Sequence, residues 1–268
     1  YHLKGGIVNS PGGAGMYTAL SAHRSGIDVA MLAPFPVPMP DELQPVSERV
    51  AWFGPIVSPK KLAHFEIAYE GKQTNFIDVH LGEEHLITED YLPHDLSSLR
   101  AVHITSLGSV QQQLDMLKAC RRRNAAKVSA GTYCRDIQDE LENVQTLFRQ
   151  ADIFFMSENE AKGLFGSVER AKTRPGALLF ITLGERGALV IQGEYKTQVL
   201  GSKADELDPS GAGDTFCGAV LAELAKGAHP VMAARKAVVL AARMIECVGP
   251  AELLKNEPQP QADCDSRV

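Results

Sequence analysis

The sequence has no run of about 18 consecutive apolar residues, the length a helix needs to cross the hydrocarbon of a bilayer, so a membrane-spanning helix is excluded. It has no surplus of positive charge. Against 33 Asp and Glu stand 27 Lys and Arg, a net charge of −6, and duplex nucleic acid is a poor main partner for a chain without a basic face. There is no C-x-x-C pair and no Cys/His group at zinc-site spacing. Cys120, Cys134, Cys217, Cys247 and Cys264 lie far apart and are odd in number, which reads as reduced thiols in a cytoplasmic protein. The opening residues 1–6 hold neither an initiator Met nor an apolar core, so they do not read as a signal peptide, and the chain reads as starting inside a longer protein. No repeat and no low-complexity stretch occurs. What is present is globular material: 268 residues, 44% hydrophobic and 22% charged, enough to bury the core of one large domain.

Short apolar strands alternate with helical patterns. Strands are expected at 28–32, 101–105, 126–130, 152–156 and 177–183, with a hairpin of 187–192 and 195–200. Helices are expected at 13–25, 109–123, 136–149, 158–165, 212–226 and 230–247. This rhythm argues for an α/β fold with a mostly parallel sheet covered by helices on both faces. Prolines 34, 36, 38, 40 and 45 forbid helix through most of 34–45, and the tail after Gly249 reads as loosely ordered. Residues 63–81 alternate with period two on either side of Gly71, a β-hairpin that departs from the α/β rhythm and suggests a small side sheet or lid.

The sharpest motif is D-P-S-G-A-G-D-T-F, residues 208–216. Glycines at 211 and 213 let the backbone turn tightly and approach a ligand, and a helix starts there. The unpaired N–H groups of its first turn make an anion site. A carboxylate at Asp214 beside such a site would repel an anion, so its presence needs a reason, and accepting a proton from an attacking hydroxyl is one. The alternative is that Asp214 caps the helix and the glycines only make a turn.

This string resembles the C-terminal signature of the ribokinase-like (PfkB) carbohydrate kinases, usually D-T-x-G-A-G-D. Three further segments agree in order. P-G-G-A-G-M-Y-T-A-L-S-A-H-R-S-G (11–26) resembles the family's Gly-Gly signature, S-E-N-E-A-K-G-L-F-G (157–166) its N-x-x-E segment, and I-T-L-G-E-R-G-A-L-V-I (181–191) its T-x-G-x-x-G strand–turn–strand. The resemblance implies one three-layer ribokinase-like domain over 1–268, with the 63–81 hairpin as its β lid. It implies a phosphotransferase moving the γ-phosphate of ATP, with Mg2+, to a hydroxyl of a small sugar-like acceptor. By that resemblance Asp214 is the general base, and the backbone of Gly211, Ala212, Gly213 and Asp214 is the anion hole. Thr182, Gly184 and Gly187 line the nucleotide site, and Asp208 orders the loop ahead of the anion hole. Gly12, Gly13 and Tyr17 lie at the acceptor, and Glu160 helps place Mg2+ through water. A homodimer through the lid is a further implication. A nucleoside or cyclitol acceptor, or a non-catalytic binding protein, are the alternatives.

The chain departs from the family pattern in three places. It begins after the point where the family's first strand, with its acceptor-binding Asp, would stand. Tyr17 stands where the family has Asn after Gly-Gly, and Ser157 stands where it has the Asn of N-x-x-E. Two other features compete for function. Asp78, His80, Glu83, Glu84 and His85 could suit zinc or manganese but match no known spacing, and a solvated loop explains them as well. Arg121, Arg122 and Arg123 end a helix, where they favour its dipole.

Overall fold

A computed structural model describes residues 2–3, 6–70 and 73–255 of the chain. The strands and helices follow in order: β1 (His2–Leu3), β2 (Gly6–Ile7), α1 (Ala14–Arg24), β3 (Ala30–Leu32), β4 (Phe35–Pro36), α2 (Gln44–Ser47), β5 (Ala51–Phe53), β6 (Ile56–Val57), β7 (His64–Glu70), β8 (Gln73–His80) and β9 (Val102–Ile104). Then come α3 (Val110–Arg122), β10 (Val128–Gly131), α4 (Cys134–Asp139), α5 (Leu141–Gln150), β11 (Ile153–Ser157), α6 (Glu158–Phe165), β12 (Leu178–Thr182), β13 (Ala188–Gln192), β14 (Tyr195–Val199), α7 (Ala212–Ala225) and α8 (Pro230–Met244).

The central sheet has six strands in the order β14-β13-β12-β11-β10-β9. Strands β9 to β12 run parallel, and β13 and β14 return antiparallel. The side-chain alternation of a strand explains the layers. Along β11, Phe154 and Met156 join a core with Leu114, Leu117 and Leu147, whereas Ile153 and Phe155 join one with Phe216, Val220 and Ala237. A strand buried on both faces reads as an unbroken apolar run, which is why I-F-F-M carries no alternation. Phe155 stacks on Phe180 of β12, ring centres 5.1 Å apart. Helices α3 and α5 thus cover one face and α7 and α8 the other.

A second, four-stranded sheet has the order β2-β1-β7-β8. The expected 63–81 hairpin is its long part, with a bulge between Glu66 and Ile67; Gly71 lies outside the described residues. Some expectations shift. The strand expected at 28–32 is shortened to β3 and pairs with β5 in a two-stranded sheet of its own. The helix expected at 136–149 breaks at Glu140, whose backbone φ of −134° is not helical. The proline-rich segment still holds the short helix α2, because Pro45 sits in its first turn, where a missing N–H costs nothing.

Candidate active site

Ligands of open α/β sheets sit at the carboxyl ends of the parallel strands, and here those ends carry the residues singled out from the sequence. Ser157 ends β11 beside Thr182, which ends β12. Ser157 also caps α6 in a reciprocal box. Its N–H donates to Glu160 Oε2 at 2.6 Å, and its hydroxyl accepts from the Glu160 N–H at 3.3 Å. Serine and asparagine both cap helices well, so Ser157 keeps this local geometry where the family has Asn. Glu160 is buried. Among the described residues its second oxygen, Oε1, meets only the weak donor Cys134 Sγ, at 3.8 Å. Burial first, and then the charge of Asp214, raise its carboxyl above the usual range.

Gly211 is the N-cap of α7, left-handed at φ 76°, ψ 5°. The loop before it is fastened to the end of α8. The N–H groups of Leu207 and Asp208 both donate to Ile245 O, at 2.8 and 3.0 Å. Asp208 is fully buried. It accepts from the Ser210 N–H at 3.0 Å through Oδ1 and from the Gly249 N–H at 2.8 Å through Oδ2. Gly213 is exposed, with nothing within 4 Å of where a Cβ would stand. Asp214, in the first turn of α7, is partly buried, and burial pushes its carboxyl up to about 6. A carboxyl in that range is half ionised near pH 6 and mostly ionised at neutral pH, which suits a base that accepts a proton.

Helix α1 grips this turn. Thr18 Oγ1 donates to Asp214 O at 3.4 Å and Ser21 Oγ to Thr215 O at 2.5 Å. The two helices approach so closely that a Cβ at Gly218 would lie 2.1 Å from Thr18 O. At the other end of α1, Gly12 and Gly13 are exposed, and no atom lies within 4 Å of a Cβ position at Gly13. Tyr17 is 2% exposed, with its ring against Gly211.

Gly184 and Gly187 close a tight turn between β12 and β13, with Gly187 N–H donating to Gly184 O at 2.9 Å. A Cβ at Gly187 would meet Val199 O at 2.1 Å, so this glycine is required by the backbone of β14. Gly184 has open space above it. Next to this turn lies a cavity of about 440 Å³, bounded by Val199, Gly201, Arg235, Val238 and Val239. The backbone of Gly201 lies directly against Glu185 and Gly187.

The structure therefore brings Gly211 to Asp214, Asp208, Tyr17 and Glu160 into one neighbourhood, and Thr182 beside Ser157. The sequence reading missed Thr18, Ser21, Cys134 and the cavity on α8. Among the described residues no group of three or more His, Cys, Asp or Glu side chains could hold a metal. Within the 78–85 cluster, Glu83 pairs with Lys61 and with His85.

Residues 55–257 match the family described as pfkB family carbohydrate kinase. A cytidine kinase of Thermococcus kodakarensis is 27% identical over 229 residues, 82% of each chain. Among solved structures, a fructokinase variant of Vibrio cholerae O395, bound to fructose, ADP and potassium ion, superposes with a TM-score of 0.76. It is 19% identical and covers 95% of this chain and 90% of its own. The nucleoside kinase of Burkholderia thailandensis in complex with inosine superposes with a TM-score of 0.71, 19% identical, covering 90% and 84%. The fold is ribokinase-like.

Proposed function

The chain belongs to the pfkB family of carbohydrate kinases, and from that premise we propose that it moves the γ-phosphate of ATP to a hydroxyl of a small sugar-like acceptor, with Asp214 as general base. It is a phosphotransferase acting on an alcohol group. One observation carries the mechanism: a carboxyl raised to about 6 stands in the first turn of α7, behind an exposed glycine backbone. As the acceptor oxygen attacks phosphorus, its proton passes to the Asp214 carboxylate. The bond from phosphorus to the β–γ bridging oxygen breaks, and ADP leaves. The N–H groups of Gly211, Gly213 and Asp214 meet the charge spread over the equatorial oxygens, helped by the positive end of α7, while the Ala212 N–H expected among them donates instead to Pro209 O at 3.2 Å and holds the turn.

The remaining residues take supporting roles. Asp208 holds the loop in register through Ser210 and Gly249. Thr182 and Gly184 face the nucleotide phosphates, and Gly187 shapes their turn. The nucleotide base sits in the cavity between Val199, Val238 and Val239, which offer apolar contact to a flat ring, with Gln198, Ser202 and Arg235 as polar groups on the same lining. The open end of α1 at Gly12 and Gly13 receives the acceptor. Residues 1–268 act as one kinase domain, and the lid of β7 and β8 covers the acceptor and keeps water from the γ-phosphate.

The residues present fit Mg2+. Among the described residues one Glu160 carboxylate oxygen has only a thiol beside it, enough for a cation that retains several waters and takes the rest of its shell from phosphates. The ion supplies charge neutralisation when bound. The exposed Phe65, Ile77 and Val79 on the lid would suit a second copy of this chain.

A nucleoside acceptor is the second reading, favoured by the relative described as a cytidine kinase. The deciding experiment is ADP release from Mg-ATP across pentoses, hexoses, nucleosides and inositols. A response to one acceptor names the substrate class, cytidine first among nucleosides and fructose first among sugars. A flat panel with ATP still bound supports a non-catalytic binding protein, and no ATP binding refutes the kinase.

A further inference from the structure

Tyr17 stands where the family resemblance leads one to expect an acceptor contact, yet it is 2% exposed. A buried ring offers almost no surface to a ligand. It faces Gly211 instead. A Cβ built on Gly211 would lie 2.5 Å from both Cγ and Cδ2 of the ring and 2.6 Å from Cδ1. Near-equal distances to three adjacent ring carbons mean that the bare Cα rests on the ring face, not its edge. Gly211 is also left-handed, at φ 76°. The turn that presents the anion-hole N–H groups is thus fixed from two sides: its left-handed dihedral favours glycine, and the ring leaves no room for any Cβ.

The contact does not stand alone. Tyr17 and Ser21 are one helical turn apart on α1, with Thr18 beside them. The three meet successive parts of one segment: Tyr17 meets Gly211, Thr18 the carbonyl of Asp214 and Ser21 the carbonyl of Thr215. The same helix begins at the exposed Gly12 and Gly13.

We propose that Tyr17 is a positioning residue: its ring is the flat floor that sets the Gly211 turn, so that α1 joins its own glycine-rich end rigidly to the anion hole. The inference rests on the kinase reading above. An aliphatic side chain fills the same core but has no flat face, and the N–H groups of the turn move away from the transferring phosphoryl group. Displacements of about 1 Å at such a site cost on the order of 100-fold in rate.

The test uses Tyr17→Leu, Tyr17→Met and Tyr17→Phe in steady-state assays with the acceptor found above, alongside ATP binding and thermal unfolding. In Leu and Met variants, kcat and kcat/KM fall together by about 10- to 100-fold while ATP affinity stays within about threefold, because an interaction of the transition state has been weakened. Phe restores kcat to within about threefold. Two results overturn the inference. One is wild-type kcat in the Leu or Met variant. The other is a Phe variant whose acceptor KM rises about tenfold at unchanged kcat, which makes Tyr17 a substrate contact. If Leu does not fold, Met and Phe decide the matter. Asp214→Asn runs in the same assay: if it keeps turnover, the general-base reading fails, and that failure is separate from this one.

Discussion

Replacing Asp214 by Asn should stabilise the protein, and by an amount that depends on pH. Burial raises the Asp214 carboxyl from 3.8 to about 6. Between those values the folded chain binds more protons than the unfolded one. The raised group therefore favours folding at low pH, and that advantage is lost as pH climbs through 6. Relative to a neutral Asn of the same shape, the ionised carboxylate costs up to about 3 kcal/mol at pH 8 and roughly half of that at pH 5. For a chain of this size about 1 kcal/mol moves Tm by about 2–4 °C. Asp214→Asn should thus melt several degrees above the wild type at pH 8, with a gap that narrows by about half at pH 5. Thermal unfolding by circular dichroism without nucleotide measures this directly. A gap that is absent at pH 8, or constant with pH, would refute the reasoning, because the Asp214 carboxyl would then titrate near its ordinary value.

Gly218→Val should lower stability by about 1–3 kcal/mol or more, read as a lower urea midpoint, because even its Cβ would stand 2.1 Å from Thr18 O between α1 and α7. Glu160→Gln should raise the Mg2+ concentration for half-maximal rate at least several-fold and leave acceptor KM unchanged. An unchanged Mg2+ dependence would confine Glu160 to capping α6. In the wild type, kcat/KM for the acceptor should rise with pH through about 6, as the folded-state Asp214 loses its proton.

Much of this architecture is legible in the residues. The I-F-F-M run announced a strand buried on both faces, and α6 begins and ends where Ser157 and Gly166 cap it. Gly211 marked the start of α7 because glycine permits the left-handed entry. Other features depend on contacts between distant segments. Periodicity does not reveal that β3 pairs with β5, nor that β1 and β2 join the sheet of β7 and β8, since two- and three-residue strands are fixed by their partners. Tyr17 is the clearest case. Its type and position suggest a ligand contact, and only the approach of α7, 194 residues on, turns it inward against Gly211. Thr18 and Ser21 escaped notice for the same reason, because their partners are backbone carbonyls on another helix.

The proposed reaction turns on Asp214 taking the proton of the acceptor hydroxyl. The most direct test is turnover by Asp214→Asn with Mg-ATP and the wild-type acceptor, together with ATP affinity of the same variant. A 10²- to 10⁴-fold fall in kcat with ATP affinity within about threefold is the predicted result. A kcat within a few-fold of wild type would contradict the account.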